Sequence, residues 1–195
     1  MFRKKKIIEL YDGKFESEFM FFEKTDKKFL KSMFDTWVLL CQKSLKIGGT
    51  RTINFPETLS EAIFALEMDF ARCTAPIRGT SSSFDNYDFK TNKRIQLKAA
   101  SSKGPSSFGP RSEYDEIYFF YMKDIAEIRS PRSFSGRFEI YKLDETIIPS
   151  IRVNKNDTVN DFQRQGKRPR FSIPIKILDE FNPKVLKTGN IDDWD

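Results

Sequence analysis

The spacing of apolar residues changes after about residue 70, and that change limits the chain to folds in which helices pack against a sheet. Before that point the period is helical. From Thr25 or Asp26 to about Leu45, the residues Leu30, Met33, Phe34, Trp37, Cys41 and Leu45 fall three or four apart. This predicts an amphipathic helix closed by Gly48-Gly49. The string NFPETLSEAIFALEMDFARC announces a second helix, with Pro56 in its first turn and an apolar stripe of Leu59, Ile63, Leu66 and Phe70. Beyond it, the polar turn in DFKTNKR separates two arms of a hairpin, the second being RIQLKAA. YDEIYFFYM, GRFEIYKL and SIRVN read as further strands, and RPRFSIPIKILDEF as a closing strand or short helix. The expected fold is a mixed α+β (α/β) domain, a central mixed sheet with flanking helices.

With 195 residues, 38% of them hydrophobic and twenty of them phenylalanine, the chain can bury one ordinary core, so a single soluble domain is expected. Absence of histidine excludes a Ser-His-Asp triad, a Cys-His pair and an HExxH zinc site. Cys41 and Cys73 stand in helical-looking apolar contexts and are expected to be buried free thiols. The opening MFRKKKIIELYDG has too short an apolar run for a signal or membrane segment, so a cytoplasmic location is expected.

Charge is unevenly placed. The formal net charge is +6, and Phe89–Ser112 carries Lys90, Lys93, Arg94, Lys98, Lys103 and Arg111 without one acid. Asp161–Lys176 adds Arg164, Lys167, Arg168, Arg170 and Lys176 against one aspartate, while the chain from Asp179 is acidic. Clustered bases suit a polyanion, because each neutralised phosphate releases counterions. A solvated lysine-rich surface would give the same counts.

The hairpin brings chemistry into that field. Its antiparallel arms set Asp85 or Asp88 against Gln96 and Lys98, which share one strand face while Leu97 takes the other. Carboxylate and amide oxygens suit Mg2+, and a neighbouring lysine can orient water or meet charge developing on phosphorus. A one-residue slip of register would exchange Asp88 for Asp85. Polar alternation of this kind also marks an ordinary solvent face.

Asp85 followed by Gln96-Leu97-Lys98 resembles the core of the PD-(D/E)XK nuclease superfamily in its QxK variant. The longer strings FDNYD, KRIQLKAASS, SSFGPRSEYDEIYFFYM and GKRPRFSI, in that order, resemble a family of small type II restriction endonucleases that cut interrupted GC-rich palindromes such as GCNGC. The likeness covers roughly Arg51 to Ile175. It implies a restriction-endonuclease-like fold and Mg2+-dependent cleavage of double-stranded DNA that leaves 5′-phosphates. Asp85 and Gln96 would be metal ligands, Lys98 would meet the attacking water or the scissile phosphate, and Glu61 would complete the cation's surroundings from the second helix. On a helical wheel Glu61 lies almost opposite the apolar stripe, so Glu57 and Glu67 stand as rivals. Gln96 brings an oxygen without charge, which favours one metal over two.

Residues 1–50 are then an N-terminal helical part, 51–176 the catalytic core with DNA-binding loops, and 177–195 an acidic tail. Lys103, Ser106, Ser107 and Arg111 form one expected DNA-binding loop. Lys167, Arg168 and Arg170 form the other, with arginine forks suited to guanine. A palindrome cut on both strands implies a homodimer, with contacts from Phe119, Phe120 and Tyr121 or from the first helix, and a cognate DNA methyltransferase as functional partner. A structure-specific nuclease with the same core and a non-catalytic DNA-binding protein are the alternatives.

Overall fold

The computed structural model describes residues 1–10, 13–48, 53–75, 84–100, 106–107, 114–122, 134–144, 146, 148–166, 170–171 and 183–195. Its first element was not announced by the spacing. Phe2–Leu10 (β1) and Gly13–Phe21 (β2) form an antiparallel hairpin in register from Phe2↔Phe21 to Leu10↔Gly13. The N-terminal part is therefore sheet as well as helix. Ile8 and Leu10 are buried against Phe19, but Lys4 and Lys6 hold the earlier positions of the same alternation. A lysine run thus conceals a strand with one buried face.

Both expected helices form. Lys27–Lys46 (α1) buries Leu30, Phe34, Trp37 and Cys41, while Met33 stays exposed. Glu57–Met68 (α2) starts after an extended Pro56 and stops at Asp69, whose φ of 58° is left-handed. Phe70 follows the helix and still packs on its core. Cys73 belongs to Ala71–Cys73 (β3) and not to a helix, and both cysteines are free.

Asn86–Asp88 (β4), Lys93–Ala100 (β5), Glu116–Tyr121 (β7), Arg137–Leu143 (β8) and Val185–Asn190 (β10) complete an eight-stranded sheet of order β1-β2-β3-β4-β5-β7-β8-β10. Every neighbour pair is antiparallel except β5 with β7. Ser106–Ser107 (β6) pairs with Arg170–Phe171 (β9) in a separate two-stranded ribbon. This is the mixed α+β domain that the change of period implies, and it is consistent with a restriction-endonuclease-like fold.

Both faces of the sheet's centre are covered. Leu30, Phe34, Leu59, Ile63 and Phe64 from the helices meet Ile95, Leu97, Tyr118 and Phe120. Ile117, Phe119 and Tyr121 face the other way, onto Ile148, Ile151 and Val159. Every residue of β7 is buried, which explains why EIYFFY reads as a continuous apolar run. Phe119, Phe120 and Tyr121 are therefore core and cannot supply a dimer contact, whereas α1 exposes Phe29, Met33, Leu39 and Leu40.

Two other expectations change. SIRVN is not a strand: Ile148–Ser150 is a 3-10 turn, and Arg152 makes a single bridge to Thr158, which caps Val159–Arg164 (α3). The acidic tail is structural, since it supplies β10 and the buried Trp194. Of RPRFSIPIKILDEF only Arg170 and Phe171 fall within the described residues. Among those residues no helix is long and apolar enough to cross a membrane.

Candidate active site

The β4–β5 hairpin sets the site's register. Asn86 pairs with Ile95, Tyr87 with Arg94 and Asp88 with Lys93, so Asp85 stands just outside β4, beside Gln96. Asp88 is used up in the turn, where Oδ1 accepts from the Lys90 N–H (2.8 Å) and Oδ2 from the Thr91 hydroxyl (2.6 Å). Asp85 instead closes the ladder with its side chain. Its backbone N–H donates to Ile95 O (3.0 Å), and its Oδ2 accepts from the Leu97 N–H (2.6 Å) and from Gln96 Nε2. Ile95 and Leu97 lie in the helix-side core, so Gln96 and Lys98 project from the opposite face.

Glu61 approaches from α2 on the helix side of the sheet, near enough for the charge of Asp85 to act on it. The helical wheel turns it away from the apolar stripe, but the structure buries it to 8% exposure. The apolar stripe understates the buried face: α2 packs on α1 and also on β3 and β5, and Ser60, Ala62, Phe64 and Ala65 are buried too. Glu61 Oε2 accepts from Arg72 Nε on β3 (2.6 Å), and its backbone carbonyl accepts from Asn86 Nδ2 (3.3 Å). The rivals go elsewhere. Glu67 pairs with Lys27 (3.2 Å) and Lys187 (2.7 Å), and Glu57 is exposed in the first turn of α2.

Electrostatically the site is under-compensated. Burial and the charge of Asp85 push the Glu61 carboxyl up to about 7, against the opposing pull of Arg72. Burial likewise raises Asp85, although the Leu97 N–H and the Lys98 charge act against it. Among the described residues Asp85 Oδ1, Glu61 Oε1 and Gln96 Oε1 have no hydrogen-bond partner. The Asn86 side-chain oxygen is buried without one. Asp85 and Gln96, which touch each other, and Glu61 on the helix side each keep an oxygen of the kind hard cations take. No three Asp, Glu, Cys or His side chains gather as a metal cage among the described residues.

A protein-family model described as Bsp6I restriction endonuclease matches residues 22–180. The type II restriction enzyme Bsp6I of Bacillus sp. (strain RFL6) is 35% identical over 144 residues, which is 71% of this chain and 72% of that enzyme. This chain belongs to the Bsp6I restriction endonuclease family. It is thus a type II restriction endonuclease, a site-specific deoxyribonuclease whose substrate is double-stranded DNA. No solved structure matches it. Glu61, Arg72, Asp85, Gln96 and Lys98 all fall inside the family match, whereas β1 and β10 fall outside it.

In this member of the Bsp6I family the basic field is smaller than its sequence. The parallel β5–β7 pairing brings Asp115 and Glu116 beside its first bases. Arg94 binds Asp115 through Nη2 (2.7 Å) and Nε (3.0 Å), Lys93 binds Glu116, and Lys90 binds Asp69. Lys103, Arg111, Lys167 and Arg168 lie outside the described residues. The β6–β9 ribbon nevertheless joins the two expected DNA-binding strings, with Ser107 opposite Arg170 and Ser106 opposite Phe171. Arg72 and Asn86 escaped the sequence reading. Neither carries a local signal, and it is the Arg72↔Asn86 pairing that sets them side by side.

Proposed function

We propose that this chain is a Mg2+-dependent nuclease of the PD-(D/E)XK type, QxK variant, in which Asp85, Gln96 and Glu61 hold the cation. The observation that carries the reading is the set of three oxygens on these residues without a hydrogen-bond partner among the described residues, beside two carboxyls raised by burial. When bound, the cation supplies Lewis acidity at the scissile phosphate. Lys98 holds the attacking water. Its oxygen bonds to phosphorus as the P–O3′ bond breaks, one proton passing to the departing 3′-oxygen, which leaves a 3′-hydroxyl and a 5′-phosphate.

The enzyme Bsp6I supports a type II specificity, and we take the target to be a short interrupted GC-rich palindrome such as GCNGC. The segment 51–176 is the catalytic core. Lys103, Ser106, Ser107 and Arg111 meet DNA together with Lys167, Arg168 and Arg170, a reading supported by the ribbon that ties their strands together. Two copies act on the two strands as a homodimer, and the exposed apolar residues of α1 supply a contact. The protein works in the cytoplasm beside a methyltransferase that protects the host's own sites.

A plasmid digest tests the reading, run with Mg2+, with a chelator, and with Asp85→Ala or Lys98→Ala. Discrete fragments are expected only from wild type with Mg2+, while both variants still bind DNA. Fragments produced by Asp85→Ala would remove the site from these residues.

A further inference from the structure

We propose that Arg72 is a further catalytic residue, one whose guanidinium takes a non-bridging oxygen of the scissile phosphate; the proposal rests on the active site read above. Arg72 sits on β3, paired with Asn86 on one side and Met20 on the other, next in the sheet to the strand that Asp85 precedes. Its Nε donates to Glu61 Oε2 at 2.6 Å and uses one of five donors. Among the described residues its two Nη groups have no hydrogen-bond partner, and no buried nitrogen of Arg72 is left unsatisfied. Those donors therefore reach solvent, although the side chain as a whole is only 20% exposed.

A structural ion pair does not call for this arrangement. Glu61 would be neutralised equally well by a lysine, and an arginine serving that pair alone commonly gives the carboxylate two parallel N–H donors. Here the fork is gripped at Nε by an acid of the site and left open at the other end. Planar Nη donors match the oxygens of a phosphate, and an arginine so held loses little freedom on binding one. The Asp85 carboxylate repels the phosphodiester anion, and Lys98 is the cation offered from the opposite face of β5. Arg72 supplies a second positive charge from the α2 side, where charge builds on the non-bridging oxygens as water attacks.

The test is single-turnover cleavage of plasmid DNA in excess Mg2+ by wild type, Arg72→Ala, Arg72→Lys and Asp85→Ala, each checked for fold by circular dichroism. Arg72→Ala is expected to cut about a hundredfold more slowly with its DNA binding retained. Millimolar guanidinium ion should restore part of that rate to Arg72→Ala and none to Asp85→Ala. Arg72→Lys keeps a cation beside Glu61 but has no fork, and it too is expected to cut at least about tenfold more slowly. If Arg72→Ala does not fold, Arg72→Lys carries the test.

Wild-type cutting by Arg72→Lys would overturn the proposal while leaving the site intact, provided Asp85→Ala is inactive. A slow, folded Arg72→Ala that guanidinium cannot rescue would assign Arg72 to holding Glu61 alone, and would overturn the phosphate contact. An active Asp85→Ala would bring down the site itself, and Arg72 with it.

Discussion

Two buried acids, Glu61 on α2 and Glu116 on the sheet, are held on opposite terms. Glu116, at the start of β7, is as little exposed as Glu61, but it receives Lys93 Nζ (2.5 Å), Lys142 Nζ (2.8 Å) and the Tyr118 hydroxyl (2.7 Å). Burial alone would raise its carboxyl. The Lys142, Lys93 and Tyr118 hydrogen bonds outweigh that and bring it down to about 2. Glu61 meets one cation on one oxygen and is left at about 7. A buried carboxylate with a full set of donors is a fastener, and one short of them is poised to accept a ligand.

The largest contrast is expected from Asp85→Asn, which keeps an acceptor for the Leu97 N–H but removes the charge. Cleavage should fall by about a thousandfold, while the melting midpoint in chelator stays level or rises, because an uncompensated buried charge has gone. A midpoint lowered by several degrees would make Asp85 a fastener too, and the contrast would fail.

Gln96→Glu sharpens the same point by adding a third carboxylate. It should lower the midpoint in chelator, and Mg2+ should raise it further than in wild type, since a cation that binds only the folded state stabilises it. Equal Mg2+ shifts in the two proteins would remove Gln96 from the ligand set.

Glu116→Ala should behave in the opposite way to Asp85→Asn. It orphans the buried Tyr118 hydroxyl and separates two lysines from their acid, at a cost of about 2 kcal/mol. The melting midpoint should drop by about 4–8 °C, with cleavage by the folded enzyme unchanged. Loss of cleavage without loss of stability would transfer Glu116 from scaffold to chemistry.

Much of this was legible in the chain, and what was not has physical causes. The helices were readable because α1 buries one stripe, and the β4–β5 hairpin because its turn residues are local. Asp85, Gln96 and Lys98 came together because an antiparallel register follows from the turn. Glu61 was misplaced by a wheel that assumes one buried face, whereas α2 packs on two layers. The pairing of Arg94 with Asp115 and of Lys93 with Glu116 depends on a parallel crossover that no short window encodes. Arg72 was invisible for the same reason. Its partner Glu61 is eleven residues away along the chain, and the two meet only because β3 folds back beneath the helix that precedes it.

The last expected effect is the dependence of stability on acid. Glu116 falls from its ordinary 4.5 to about 2 in the folded protein, so over that range the unfolded chain binds more protons than the native one. Its contribution is complete above 4.5 and is lost as pH drops toward 2. Wild type should therefore lose stability over that window more steeply than Glu116→Gln, which has no carboxyl there to protonate. Urea melts at several pH values measure the two slopes. Parallel slopes would mean that Lys93, Lys142 and Tyr118 do not hold this carboxylate in solution, and the comparison between a saturated and an unsaturated acid would lose its reference.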